Sequence, residues 1–334
     1  MTMTAIGDLA ASLTFLRNST SLKQTISTLT TELSTGTVAD IHGRLGGNYA
    51  YLSEIDSSLI TLAGHATAAA EAGTIATSMQ ASLSMVYDRS SALAQTLMTT
   101  YLNAAHATQN IGSVHAREDL GTMVSALNTS VAGRALFSGS AVGTVPLADS
   151  AALLDGLRTE LAGLTDPADI RTAATAWFGS GGGFDTDIYQ GGTQDLAPMR
   201  LGDGQSADLM LRADDPVFKC LLMETALAAL ADDPALGLSE ADANTLRFET
   251  GTNLLAMKDQ VIELQGKLGL QEMRIEEAQT ALSVQRLGLE ETRGQLLAAD
   301  PFETAAYLED AQFRLDALFA VAARSASLKL VNYL

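Results

Sequence analysis

The chain has 334 residues, of which 47% are hydrophobic, 5% aromatic and 18% charged, and its formal net charge is −19. This acidic balance argues against binding to nucleic acid, whose phosphates need a basic face, and against docking on anionic lipid. A single cysteine, Cys220, excludes an internal disulfide framework. We interpret it as a small apolar residue on a buried helix face rather than as a reactive thiol.

The start of the chain does not predict a Sec-type signal peptide, because it lacks a cationic segment and Asp8 interrupts its apolar residues. No apolar run reaches the length of about 18 residues that a membrane span requires. We therefore expect a cytoplasmic protein, or one that leaves the cell without a cleaved signal.

An amphipathic helix is predicted over residues 8–34, because apolar residues recur there at intervals of three and four. Its apolar positions are Leu22, Ile26, Leu29 and Leu33. The other side carries Ser, Thr and Gln instead of charged residues, which indicates contact with protein on that side too. Gly36 suits the left-handed conformation that often ends a helix. We assign residues 1–44 to an N-terminal assembly helix.

Two further helices are predicted in residues 45–139. The apolar residues from Leu52 to Leu97 fit one helix of about 55–60 residues, and a third helix is predicted over residues 113–136. The pattern changes at Phe137-Ser138-Gly139. We assign residues 45–139 to the N-terminal arm of a helical bundle.

The middle of the chain, residues 140–215, predicts a small acidic α+β domain inserted between helical arms. Between Asp149 and Asp242 there are 17 acidic and 5 basic residues, which indicates a solvated exterior. A helix is predicted over residues 151–164, and strand-like segments over 187–189 and 207–212. The glycine run at 179–183 is interpreted as a surface loop, because no Gly-Lys-Ser/Thr follows to hold phosphate.

A heptad seam marks the C-terminal arm, which we assign to residues 216–300. Its seven aliphatic positions are Leu254, Val261, Leu268, Ile275, Leu282, Leu289 and Leu296. The pattern predicts a coiled-coil helix of roughly 70 Å, and such a seam must be buried against a partner helix. The protein is therefore expected to be elongated.

A last helix is predicted to start at Asp300-Pro301, an N-cap followed by proline at the first helical position. Residues 301–334 form the predicted C-terminal assembly helix, and their final 18 residues contain no acid. The apolar tail is too exposed for a free monomer, so something else should cover it.

No pattern for chemistry is present. The four histidines show no i, i+4 spacing and no metal-binding motif, and neither a nucleophile elbow nor a dinucleotide fingerprint occurs. We predict no enzyme activity, no metal and no cofactor.

Four short segments occur in a characteristic order along the chain: 33–36 (LSTG), 137–139 (FSG), 189–192 (YQGG) and 327–334 (SLKLVNYL). With the two helical ends and the acidic middle, they resemble the flagellin superfamily, and within it the proteins that join hook and filament. The expected fold is mainly α: an elongated antiparallel helical bundle or coiled coil, made by the terminal arms, with a small inserted α+β domain.

The resemblance implies a structural role outside the cell, in a ring of identical subunits. It implies another hook-associated protein on the hook side, flagellin on the filament side, and a cytoplasmic export chaperone on the C-terminal helix. It also implies type III export without a cleaved signal, and terminal segments that are largely disordered in the monomer. The expected assembly interface contains Leu22, Ile26, Leu29, Leu33, Leu308, Leu315, Leu318, Ala322, Leu330 and Leu334.

Two alternatives remain open. One is a filament flagellin of the same superfamily, and the other is a cytoplasmic coiled-coil scaffold or signalling protein. The scaffold would explain the heptads but not the apolar tail or the Ser/Thr-backed first helix. Recovery of the protein from sheared flagella or from culture medium would separate it from the flagellar assignments.

Overall fold

The structure is a computed structural model that describes residues 3–103 and 106–331, with side chains at Ala10 and within residues 12–101 and 112–324. It is 73% helical with two small antiparallel sheets, which confirms the predicted mainly-α class. The helices are α1 (Met3–Thr35), α2 (Ile41–Leu45), α3 (Ala50–Asn103), α4 (His106–Leu127), α5 (Ser150–Glu160), α6 (Pro167–Trp177), α7 (Pro216–Leu230), α8 (Glu240–Ala256), α9 (Lys258–Leu297) and α10 (Pro301–Val331).

Both sheets are two-stranded hairpins. Strands β1 (Ser130–Val131) and β2 (Arg134–Ala135) pair with Ser130 opposite Ala135, and strands β3 (Met199–Gly202) and β4 (Gln205–Ala207) pair with Met199 opposite Ala207. The turn between β1 and β2 has positive φ at Ala132 (50°) and Gly133 (79°). Two consecutive positive φ angles match the right-handed twist of a tight hairpin.

Aspartate followed by proline begins three of the helices, α6, α7 and α10. In each case the aspartate side chain accepts a hydrogen bond from the amide two residues on: Ala168 (2.8 Å), Val217 (2.9 Å) and Phe302 (2.9 Å). Proline at the first helical position needs no such acceptor, since it has no N–H. The predicted start of the last helix at Asp300-Pro301 is therefore confirmed.

The chain divides into two compact units. Unit 1 comprises Met1–Leu62 and Val284–Leu334, and unit 2 comprises Ala63–Ser283. The core of unit 2 surrounds α7, which contacts α4, α5, α6 and α8 and is buried over most of its length. Phe218 of α7 is fully buried and meets Phe137 edge-on, with ring centroids 6.0 Å apart.

Three predicted elements are wrong in extent or type. Helix α4 ends at Leu127 instead of continuing to residue 136, because the Asn128 side chain leaves the helix to pair with the backbone of Leu147 through two 2.9 Å hydrogen bonds. The segment predicted as a strand over 187–189 includes the end of a π-helical turn, Phe184–Ile188. Strand β4 ends at Ala207, so residues 208–212 are not a strand.

Candidate assembly surface

Helices α1 and α10 pack against each other in unit 1 through the predicted heptad positions. We call this contact the terminal seam. The half-buried predicted residues are Leu22, Ile26, Leu29, Leu308, Leu315, Leu318 and Ala322, and Ala311 between them is buried. Phe15 meets Phe319 edge-on at 5.9 Å, and the ammonium group of Lys23 lies 5.7 Å from the Phe319 ring centroid. The structure thus brings seven of the predicted residues to the same two helices.

The remaining predicted assembly residues differ from these seven. Leu33 is 42% exposed, although its spacing is that of the seam. The side chains of Leu330 and Leu334 lie outside the described residues.

The chain segments at the base of the terminal seam are paired through their backbones. The amide of Val38 donates to the carbonyl of Leu297 (2.9 Å), and the amide of Ala299 donates to the carbonyl of Gly36 (2.9 Å). Gly36 has φ +71°, the left-handed conformation predicted for the end of α1. These reciprocal hydrogen bonds fix the segment that follows α1 against the segment between α9 and α10.

A second apolar surface lies on the outside of α1 and α10. On α10, Phe302 is 87% exposed, Phe313 73% and Val321 68%, and on α1, Leu13 and Leu16 are 56% and 57% exposed. Large exposed apolar side chains at this density are typical of interaction surfaces. The heptad spacing in the sequence selects the face of α10 that packs against α1. It therefore did not predict the exposed residues Phe302, Phe313 and Val321.

The hydroxyl groups of α1 are already bonded within the helix. The threonine side chains donate to backbone carbonyls four residues earlier at 2.7–3.1 Å, as seen for Thr14, Thr25, Thr30, Thr31 and Thr35. A hydroxyl with such a partner can enter a dry interface without leaving an unsatisfied donor. The uncharged side of α1 is therefore suited to contact with protein, as its composition predicted.

The predicted bundle seam is buried along α8 and α9 in unit 2 and half-buried beyond it. Leu254, Val261, Leu268, Ile275 and Leu282 are buried, and Leu289 and Leu296 are half-buried. Within unit 2, α9 runs antiparallel to α3. Gln279 donates to the carbonyl of Ala69 (3.0 Å), Gln265 to the hydroxyl of Ser84 (3.4 Å), and Lys258 lies over the Tyr87 ring.

Two of the motifs behind the family resemblance meet in unit 2, although they are 50 residues apart in the sequence. The amide of Gly192 donates to the carbonyl of Ser138 (2.8 Å), and the amide of Ser140 donates to the carbonyl of Gln194 (2.9 Å). Gly139 between them has φ +58°, and a Cβ there would collide with the Gln194 carbonyl. The glycines are therefore required by the close approach of the two backbones.

A buried ion pair, which the sequence did not indicate, joins α6, α7 and α8. Arg171 donates to Glu224 at 2.6 Å, and the Asn253 amide donates to the same carboxylate at 2.8 Å. Burial raises the pKa of Glu224, while Arg171 opposes the shift. Cys220, one turn earlier on α7, has its pKa raised to about 11, first by burial and then by Glu224.

No arrangement for metal chemistry occurs in the part of the chain that the structure describes, since no three His, Cys, Asp or Glu side chains are placed to share a metal ion. Nor does any helix of this part have the length and apolar character of a membrane span.

The fold of this chain resembles that of FlgL from Bacillus cereus. The likeness has a TM-score of 0.52 at 18% identity and covers 72% of this chain and 98% of FlgL. A Vibrio parahaemolyticus protein named provisionally as a flagellar hook-associated protein matches with TM-score 0.49 at 13% identity, over 73% of this chain and 95% of its own. No protein-family model matches the chain, and no curated protein matches it in sequence.

The likeness to FlgL confirms the predicted resemblance at the level of the fold. FlgL is a flagellar hook-associated protein, so the predicted family and the structural neighbour agree.

Proposed function

We propose that this protein is a structural component of the bacterial flagellum that joins the hook to the filament. The observation that carries the proposal is the pair of terminal helices, which bury one apolar face against each other and leave a second one open. A helix pair of this kind is completed by further copies or by a neighbouring protein. The fold shared with FlgL supports the junction assignment over a cytoplasmic scaffold.

The domain roles follow from the same proposal. Residues 1–44 and 301–334 act as assembly helices, residues 45–139 and 216–300 form the arms of the bundle, and residues 140–215 form an inserted domain whose acidic outer surface faces solvent. In this arrangement the protein catalyses no reaction and binds no cofactor.

The proposed partners are further copies in a ring, another hook-associated protein toward the hook, and flagellin toward the filament. An export chaperone covers the C-terminal helix before the protein leaves the cell through the type III pathway. The acidic surface of the middle segment is compatible with a solvated exterior.

The proposal is tested by placing a charge in the terminal seam. Leu315 and Leu318 are half-buried in the seam, so Leu315→Asp or Leu318→Asp would place a carboxylate against the apolar side chains of α1. We expect these variants to lose sedimentable assemblies while their circular dichroism shows a folded unit 2. Gln312→Asp adds the same charge at an exposed position of α10 and serves as the matched control.

A cellular test addresses the junction role itself. Cells of the source bacterium that lack the protein should build hooks without attached filaments and should release filament subunits into the medium. Full assembly by the Leu315→Asp protein would refute the proposal. Normal filaments on cells that lack the protein altogether would refute it as well.

A further inference from the structure

Each helix of the terminal seam carries a second face on the side opposite the buried one. Leu13 lies nine residues before Leu22 of the seam, which is about two and a half helical turns. The same separation lies between Phe302 and the buried Ala311. Leu13 and Phe302 are 56% and 87% exposed. We call these two exposed sides the outer face of α1 and the outer face of α10.

The outer face of α1 combines two leucines with one cation. Arg17 is exposed and takes part in no ion pair among the described residues. The face forms a groove of about 460 Å³, and no acid lines it. The lining residues are Leu13, Leu16, Arg17, Thr20, Ser21 and Gln24.

The outer face of α10 has the opposite charge. Glu309 and Asp316 are exposed, and neither takes part in an ion pair among the described residues. Asp310, on the flank of this face, is compensated by Arg314 at 2.7 Å. The residues of the face follow one another at intervals of three and four: Phe302, Ala306, Glu309, Phe313, Asp316 and Ala320. This face therefore presents two aromatic rings and two acids, and no cation.

The register of the terminal seam determines which positions of α1 and α10 lie at the same level. Phe15 meets Phe319 near one end, with ring centroids 5.9 Å apart, and Gly36 pairs with Ala299 near the other. The helices are therefore antiparallel, and each step along α1 matches one step back along α10. In a flat ring all copies stand at the same level, so the outer faces of neighbouring copies meet in this register. It sets Leu13 opposite Val321, Arg17 opposite Ala317 beside Asp316, and Ser21 opposite Phe313.

We infer that the outer face of α1 in one copy docks against the outer face of α10 in the next copy. Arg17 then meets Asp316, and Leu13 meets Val321. Because each outer face lies opposite the terminal seam, α1 and α10 alternate in a row and every copy uses both faces. A contact between two different surfaces of the same protein closes into a ring or grows as an open array. This inference deepens the proposed function and rests on it for the ring.

The charges favour this pairing over the other ways in which two copies could meet. Each outer face supplies the charge that the other lacks, so one kind of chain completes both. Two α10 faces in contact would bring Glu309 and Asp316 against the same acids, and two α1 faces would bring Arg17 against Arg17. Like charges in contact oppose such pairings.

Charge reversal tests whether Arg17 and Asp316 meet across two copies. Arg17→Glu alone, or Asp316→Arg alone, should weaken self-association at least about fivefold in analytical ultracentrifugation. The double variant again has opposite charges and should recover association to within about twofold of the wild type. In one chain the two residues lie on opposite sides of the helix pair, so recovery requires two copies. Arg44→Glu, at an exposed position outside both faces, is the matched control and should associate like the wild type.

Disulfide capture identifies the two faces directly. Chains that carry Thr20→Cys are mixed at high concentration with chains that carry Phe313→Cys, and mixed dimers are measured after mild oxidation. Gln312→Cys replaces Phe313→Cys in the control mixture, because Gln312 is exposed at nearly the same level but turned by about 100° around α10. Cysteines bridge only when their Cα atoms approach within about 7 Å.

The outcomes separate the inference from the proposed function. Recovery by the double variant, together with a Thr20→Cys/Phe313→Cys yield well above the control, supports the contact even if long assemblies do not form. Wild-type association of a single variant, no recovery by the double variant, or equal yields in the two mixtures would overturn the inference. If the wild type nevertheless assembles and Leu315→Asp does not, the proposed function stands without this contact.

Discussion

Unit 2 buries many large apolar side chains, whereas unit 1 leaves several of its own exposed. In unit 1, the buried apolar side chains among the described residues are Leu52, Ile55, Leu297 and Ala311. Unit 2 buries α7 almost completely, together with large side chains such as Phe137, Phe184 and Phe218. Unit 1 instead exposes Phe302, Phe313 and Val321. The difference shows that unit 2 has an extensive apolar core of its own, whereas unit 1 leaves large apolar side chains exposed, as a surface that binds a partner does.

The largest expected difference between the units is in proteolysis of the free protein. Brief digestion should cut within α1 and α10 and leave a fragment that contains unit 2, because segments with few buried contacts open locally at low free energy. Mass spectrometry of the fragments gives the boundaries. The same digestion of assembled protein is the control and should spare the helices. Equal resistance of both units in the free protein would contradict the comparison.

A matched pair of phenylalanine truncations compares the two units directly. Phe218→Ala removes a fully buried ring and should lower the free energy of unfolding by about 3–5 kcal/mol. Phe313→Ala removes a ring that is 73% exposed and should change it by less than about 0.5 kcal/mol. Urea unfolding followed by circular dichroism measures both. If Phe313→Ala costs as much as Phe218→Ala, unit 1 has a core of its own.

Gly139 lies where segments 137–139 and 189–192 meet, and its replacement tests the packing in unit 2 more sharply. Gly139→Ala should cost about 2–4 kcal/mol, because alanine is strained at φ +58° and its Cβ would collide with the Gln194 carbonyl. Gly133→Ala is the control, since φ is +79° but no atom lies within 4 Å. It should cost only the strain of about 1–2 kcal/mol. Equal costs would show that the backbones do not approach as described.

The smallest expected effect concerns the pH dependence of unit 2. The pKa of Glu224 is raised above its ordinary 4.5, so the folded state holds that proton more tightly than the unfolded chain does. Its stabilising contribution is therefore fully present below pH 4.5 and is lost as pH rises through the folded pKa. Relative to Glu224→Gln, the wild type should lose unfolding free energy as pH rises above 4.5.

Glu263→Gln provides the control of opposite sign for that measurement. Its hydrogen bond with Lys267 lowers the pKa of Glu263, so the contribution is present above pH 4.5 and lost as pH falls. The effect should be slight, since the pair is exposed to solvent. A Glu224→Gln curve parallel to that of the wild type would contradict the assigned direction.

Periodic elements were predictable because their information is local. The seam from Leu254 to Leu282 is buried as its spacing required, and the end of α1 at Gly36 followed from glycine at the right place. The end of α4 was not predictable, because it depends on hydrogen bonds between Asn128 and Leu147 that join distant parts of the chain.

The residues of the candidate surface were likewise predictable only where local spacing determines their position. Leu22 and Leu315 could be assigned to the terminal seam from spacing, but spacing does not tell which of two apolar faces the chain itself covers. Leu33 has seam spacing and is nevertheless exposed. Arg171 and Glu224 are 53 residues apart, so no sequence pattern indicated their pairing.

The thiol of Cys220 has a practical consequence. Burial raises the pKa of this thiol to about 11, so very little of the reactive thiolate is present at neutral pH. Dissolved oxygen or an alkylating dye will therefore find this group slow to react. Cysteines introduced on the surface will carry nearly all the label, so the native residue need not be replaced before fluorophores or spin probes are attached.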